Sequence, residues 1–163
     1  MIILVSDTSV LIDLERGGLL EPAFSSDLTM VVPDLLYERE LAASNGELLR
    51  QLGLGVVALS PDEVTFAQQL RTKRAGLSLP DCFALSYARR PNHALVTGDK
   101  LLRAEAQSQQ CAVFGLLWLL DQMEMSGKIS VAVLHEGLTR ILNHQRCRLP
   151  KNDVLVRLHR WQG

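Results

Sequence analysis

Short runs of apolar, β-branched residues recur along the chain, each followed by a segment with helical spacing, and this alternation limits the fold more than any other property of the sequence. The first run, IILVS at 2–6, shows no polar–apolar alternation, which is how a strand reads when both of its faces are covered. SVLIDLERGGLL follows with helical spacing and a Gly-Gly stop. The unit repeats with LTMVV at 28–32, ended by Pro33, and then DLLYERELAASNGELLRQLGLG, read as a helix capped by Asp34. GVVAL at 55–59 is a third strand, and SPDEVTFAQQLRTKRAG a helix begun by Ser60 with Pro61 at its first position. LPDCFALSYARR is a further helix, HALVTGDKLLRAEAQSQ a strand turning into a helix at Gly98, and CAVFG a last short strand. Strands alternating with helices predict a three-layer α/β/α sandwich with a mainly parallel sheet. The segments LLWLLDQMEMSGKI, VAVLHEGLTRILNH and NDVLVRLHRW are helical, broken at Gly127 and Pro150, so residues 1–125 are expected to form the main domain and 126–163 a helical extension packed on it.

At 163 residues, 47% hydrophobic and 21% charged, the chain can bury a large core, which excludes a disordered segment. A net charge of −1 excludes a molecule that attracts polyanions as a whole. The distribution is uneven, because Arg140, Arg146, Arg148, Lys151, Arg157 and Arg160 stand against Asp153 alone in residues 140–163. A solvated helix face and a phosphate-contacting surface both fit that tail. Cys82, Cys111 and Cys147 have no disulfide or zinc spacing, which points to a reducing compartment. The apolar start lacks a signal peptide's length and basic flank, and no run approaches the roughly 18 residues of a membrane span. A cytoplasmic location without membrane contact is expected.

Carboxylates recur in one kind of setting. Asp7 follows the first strand, Glu38 and Glu40 lie in the helix after the second, Asp81 opens the helix LPDCFALSYA, and Asp99 follows Val96-Thr97-Gly98. A parallel sheet with right-handed crossovers presents all of these to its carboxyl edge. Like charges gathered there raise one another's pKa, and a hard divalent cation with oxygen preference relieves them. Mg²⁺ or Mn²⁺ is the expected cofactor and metal-assisted phosphodiester hydrolysis the expected chemistry. Asp7, Asp81 and Asp99 would hold the ion, and a Glu acting through water would orient the nucleophile.

Three stretches, SDTSVLIDL, LPDCFALSYA and LVTGDKLL, resemble in order and spacing the motifs of the PIN-domain ribonucleases, and within them a VapC-like toxin branch. The resemblance covers about residues 1–120, while GLLWLLDQMEMSGKIS and the later RLP are similar to a branch with extra C-terminal helices. It implies a metal-dependent endoribonuclease acting on RNA, held inactive by an antitoxin protein in a toxin–antitoxin pair, and often dimeric. By resemblance Asp7, Asp81 and Asp99 take the family's acidic positions. Its register favours Glu40, followed by Leu41, as the remaining acid, whereas counting from Pro33 favours Glu38.

The alternative reading is a PIN-like scaffold that binds RNA or protein through the basic tail without cleaving. Aspartyl-phosphatase chemistry is disfavoured because Thr8-Ser9 stand where a second Asp is needed. Thr8, Ser9 and Thr97 are read as helix caps, and Lys100 as a surface lysine or a neutraliser of phosphate charge. Asp13, Glu15, Asp27 and Asp62 are read as surface charges. His93, His135, His144 and His159 lack paired spacing, so surface or packing roles are expected. Trp118 with Leu116, Leu117, Leu119 and Leu120 is read as a core-facing or partner-facing helix, in the second case the candidate apolar surface for a homodimer, and Trp161 is expected to dock the last helix.

Overall fold

The computed structural model describes residues 2–162. Five strands, β1 (Ile3–Ser6), β2 (Thr29–Pro33), β3 (Gly55–Val57), β4 (His93–Val96) and β5 (Val113–Phe114), pair in the order β3-β2-β1-β4-β5, all parallel. Neighbouring side chains on each inner strand enter different cores. Leu4, Met30, Val32, Ala94 and Val96 face one side, and Val5, Val31 and Leu95 the other. Both faces are therefore covered, which is why the strands read as unbroken apolar runs.

One covering layer holds α1 (Thr8–Arg16), α2 (Leu20–Phe24), α4 (Gly46–Leu52), α8 (Leu116–Met125), α9 (Val131–Asn143) and α10 (Lys151–Arg160). The opposite layer holds α5 (Pro61–Lys73), α6 (Leu79–Ala88) and α7 (Lys100–Ser108). The expected three-layer α/β/α architecture is present. α9 meets α1 closely: a Cβ at Gly17 would lie 2.8 Å from the Gly137 carbonyl oxygen, and one at Gly137 only 2.6 Å from Leu19. Trp161, just past α10, is buried in the same core. Among the described residues no helix is long and apolar enough to cross a membrane.

The structure departs from the sequence reading in three places. The single helix expected from Asp34 is broken into α3 (Asp34–Leu36), a π-helical turn (Tyr37–Leu41) closed by Ala42 N–H donating to Tyr37 O at 2.8 Å, and α4. Pro33, not Asp34, is the capping residue, and Gly46 is needed because a Cβ there would lie 2.7 Å from the Leu41 carbonyl oxygen. A short α2 follows the Gly-Gly stop, and it tolerates Pro22 because the first turn of a helix does not use its N–H groups. Leu116, Leu117, Leu119 and Leu120 lie in the core, so they offer no dimer surface, and half-buried Trp118 stacks on Phe114 at 3.9 Å.

The chain leaves β1 toward β2 and β3 and returns to β4 on the other side. The carboxyl ends of β1 and β4 thus form the switch point at which open α/β sheets place their ligands.

Candidate functional site

Register places the first two site residues side by side. Ser6 pairs with Val96, and Asp7 N–H donates to Val96 O at 3.1 Å, so Asp7 and Thr97 leave adjacent strands together. Asp7 caps α1, and its Oδ1 accepts from Val10 N–H at 3.1 Å and from Ser9 Oγ at 2.8 Å. Its Oδ2 accepts from the Thr97 hydroxyl. Thr97 Oγ1 in turn accepts from Asp99 N–H at 3.0 Å, and Ser9 Oγ accepts from Gly98 N–H at 3.3 Å. The two hydroxyls, expected to cap helices, instead tie the β1 and β4 ends to one carboxylate. Thr8 likewise donates to Glu40 Oε1 at 2.8 Å, bringing the acid of the π-helical turn to the start of α1.

Asp99 caps α7, accepting from Leu101 N–H at 2.8 Å and Leu102 N–H at 3.1 Å. Asp81 has no such duty. Ser78 caps α6 by accepting from Asp81 N–H at 3.2 Å, so the Asp81 carboxylate, at the third helical position, caps no helix itself and interacts with the Ser78 hydroxyl. Glu38 lies apart, in a shallow cavity with Asp34, Leu35, Leu59, Val64 and Phe83.

Electrostatics connect the four acids. Burial pushes the Asp81 carboxyl up to about 6, helped by the charges of Asp7, Glu40 and Asp99. Asp7, only 2% exposed, is raised first by burial and also by Asp99, against the lowering effect of its three hydrogen bonds. Among the described residues none of Asp7, Glu40, Asp81 and Asp99 is in an ion pair. Asp13, expected at the surface, is half-buried and raised by that burial, with Arg16 at 3.5 Å.

The Asp81 shift has a sign that can be tested. The metal-free folded protein holds this proton more tightly than the unfolded chain, whose Asp has its ordinary value of 3.8, so stability falls as pH rises from about 4 to about 6. Asp81→Asn should remove about 1 kcal/mol of the difference in stability between pH 5 and pH 7. Urea unfolding in EDTA at the two pH values measures it, and identical pH dependence in the variant would contradict the assignment.

As the side chains stand, no group of three or more His, Cys, Asp or Glu among the described residues is arranged to hold one metal ion. The donor set nevertheless suits a hard cation. It consists of carboxylate oxygens alone, one of them deeply buried, and among the described residues no lysine or arginine is ion-paired with any of them. A cavity of about 270 Å³ is lined by Thr8 and Glu40, and two larger ones lie at the β4 side of the site. One of about 600 Å³ is bordered by Ser9, Asp13, Gly98 and Asp99, and the other, of about 520 Å³, by Thr97 and Gly98.

No curated protein matches the chain. A family model described as a PIN domain matches residues 3–162, a span that takes in the whole sheet, the four acids and the two C-terminal helices. PIN domains share a nuclease-type fold and are in general metal-dependent nucleases acting on RNA. With a match over nearly its whole length and the parallel five-stranded sheet in place, this chain belongs to the PIN-domain family.

Proposed function

We propose that the protein is a divalent-metal-dependent endoribonuclease that hydrolyses RNA phosphodiester bonds in the cytoplasm, as the toxin of a toxin–antitoxin pair. The observation that carries the enzymatic reading is Asp7, a buried carboxylate with no cationic partner among the described residues, at the central switch point, whose charge acts on Asp81 together with those of Asp99 and Glu40. The toxin assignment rests on the VapC-like motifs SDTSVLIDL, LPDCFALSYA and LVTGDKLL, and the cytoplasmic one on three free cysteines. An antitoxin protein is the partner this reading requires.

Asp7, Asp81 and Asp99 would hold Mg²⁺ or Mn²⁺, with Glu40 acting through water. Such an ion polarises a phosphate oxygen and lowers the pKa of a bound water. The chain's own part is to orient and to deprotonate. Ser9, Thr97 and Val10 N–H fix the Asp7 carboxylate, and the Asp99 N–H to Thr97 to Asp7 relay couples both strand-end acids. Thr8 would hold Glu40 to accept a proton from an attacking water, and the burial of Asp7 keeps bulk solvent from its carboxylate.

The test is incubation of purified protein with mixed RNA in Mg²⁺, Mn²⁺ or EDTA. Fragments are expected with either ion and none in EDTA. Intact RNA in both ions, or equal cleavage in EDTA, refutes the proposal.

A further inference from the structure

The basic tail divides into two populations. Arg157 and Arg160 are spent inside the fold: Arg157 pairs with Asp121 at 2.7 Å, and Arg160 with Asp121 at 2.9 Å and Glu124 at 2.7 Å. Arg140 pairs with Glu136 at 2.7 Å. Arg146 and Arg148 differ, for among the described residues their guanidinium groups make no hydrogen bond or ion pair. Both lie on the loop 144–150 between α9 and α10, and both are exposed.

That loop forms a wall of both larger cavities at the candidate site. The larger cavity is lined by Arg146 and Arg148, by Asp99, and by Asp13 with its ion-pair partner Arg16. The second sets Lys100, Arg103 and Arg148 against Asp153 as its one acid, with the half-buried Trp118 and the Asp121-paired Arg157 also in its lining. Gly98, Arg148 and Leu149 border both, so the two cavities are halves of one trough that passes the Asp99 loop. Arg103 is held in place by donating to Thr97 O at 3.2 Å, the carbonyl of the residue that binds Asp7. An overall charge of −1 gives the protein no general affinity for polyanions, so cations concentrated along one trough are a local device.

We infer that Arg148, with Arg146 beside it, is a substrate-positioning residue: it binds backbone phosphates of the RNA strand on both sides of Gly98 and lays the strand across the carboxylates. This rests on the ribonuclease reading, and it adds a part of the chain, the α9–α10 loop, that contributes no acid. A guanidinium free of protein partners is suited to bidentate phosphate binding, and being exposed it can be replaced without disturbing the core.

The experiment uses the full chain, a 5′-fluorescein-labelled 12-nucleotide RNA and fluorescence anisotropy in EDTA over a series of salt concentrations. Arg148→Ala should weaken binding about tenfold at low salt and reduce the slope of log K against log salt by about 0.7 for each phosphate that is no longer neutralised. Arg146→Ala/Arg148→Ala should lose more, and Arg148→Lys, which keeps the charge but not the bidentate geometry, should recover only part of the affinity and most of the salt slope. In Mn²⁺ the same variants should raise KM with kcat within about twofold, because uniform binding is removed while transition-state stabilisation is kept. Wild-type affinity and salt slope in the double variant overturn the inference, as does failure of the wild type to bind the RNA. Binding that depends on Arg148 without cleavage by the wild type in either ion would uphold the clamp and defeat the nuclease reading instead.

Discussion

Asp7→Asn is expected to reduce RNA cleavage about a thousandfold or more while raising the stability of the metal-free protein. The two effects share one cause. Asp7 is a charge in a dry position, and burial is the largest influence on its carboxyl. Asn keeps the shape and the cap, since its Oδ1 still accepts from Val10 N–H and Ser9, and its amide can donate to the Thr97 hydroxyl that donates to Asp7 in the wild type. Only the negative charge is lost. With it would go the proposed hold on a divalent cation, and the repulsion with Asp99 and Asp81. A gain of about 1–2 kcal/mol should appear as a Tm several degrees higher in EDTA. Cleavage within tenfold of the wild type would remove Asp7 from the chemistry, and a lower Tm would show that its charge is satisfied in a way the structure does not display.

The second large effect lies far from the acids. Trp161→Ala should cost about 3–5 kcal/mol, the usual range for emptying a fully buried aromatic position. Trp161 is 1% exposed and packs in the core layer that includes Leu134, Leu138, Ile141 and Val154. Its Nε1 has no hydrogen-bond partner among the described residues, so the ring is held by packing and by the Arg160 guanidinium 5.4 Å from its centroid. Trp161→Phe removes that unsatisfied N–H while keeping most of the apolar packing, and should cost less than half as much. Urea denaturation of the three proteins, read by far-UV circular dichroism, decides it. Equal losses for Phe and Ala would mean that the indole nitrogen matters more than the ring.

Much of the fold was legible because buried parallel strands leave an unmistakable trace. IILVS, LTMVV, GVVAL and HALV carry no alternation, and each is a strand covered on both sides or close to it. Asp7 and Asp99 stand just beyond such runs, whereas Glu40 and Asp81 lie within helical segments and carry no such mark. What could not be read depends on interactions between distant parts of the chain. Thr97 reaches Asp7 only because β4 lies beside β1, and with sequence neighbours alone in view it reads as a helix cap. The break in the 34–52 segment comes from a π-helical turn and from backbone crowding at Gly46, neither of which has a local signature. The tail's charge count likewise conceals that Arg157 and Arg160 are neutralised by Asp121 and Glu124 on another helix, leaving Arg146 and Arg148 as the free cations of its α9–α10 loop.

The approach of Gly17 to Gly137 sets the order in which the polypeptide can mature. A growing chain emerging from the ribosome exposes Leu14, Leu19 and Leu20 long before α9 exists to shield them. Its earliest helix must wait, sticky and half-formed, for a surface synthesised far later, a high-contact-order arrangement that slows folding and invites chaperone engagement. Bulk introduced at either glycine should therefore show itself first as a poor yield of soluble material and only afterwards as a shifted melting curve.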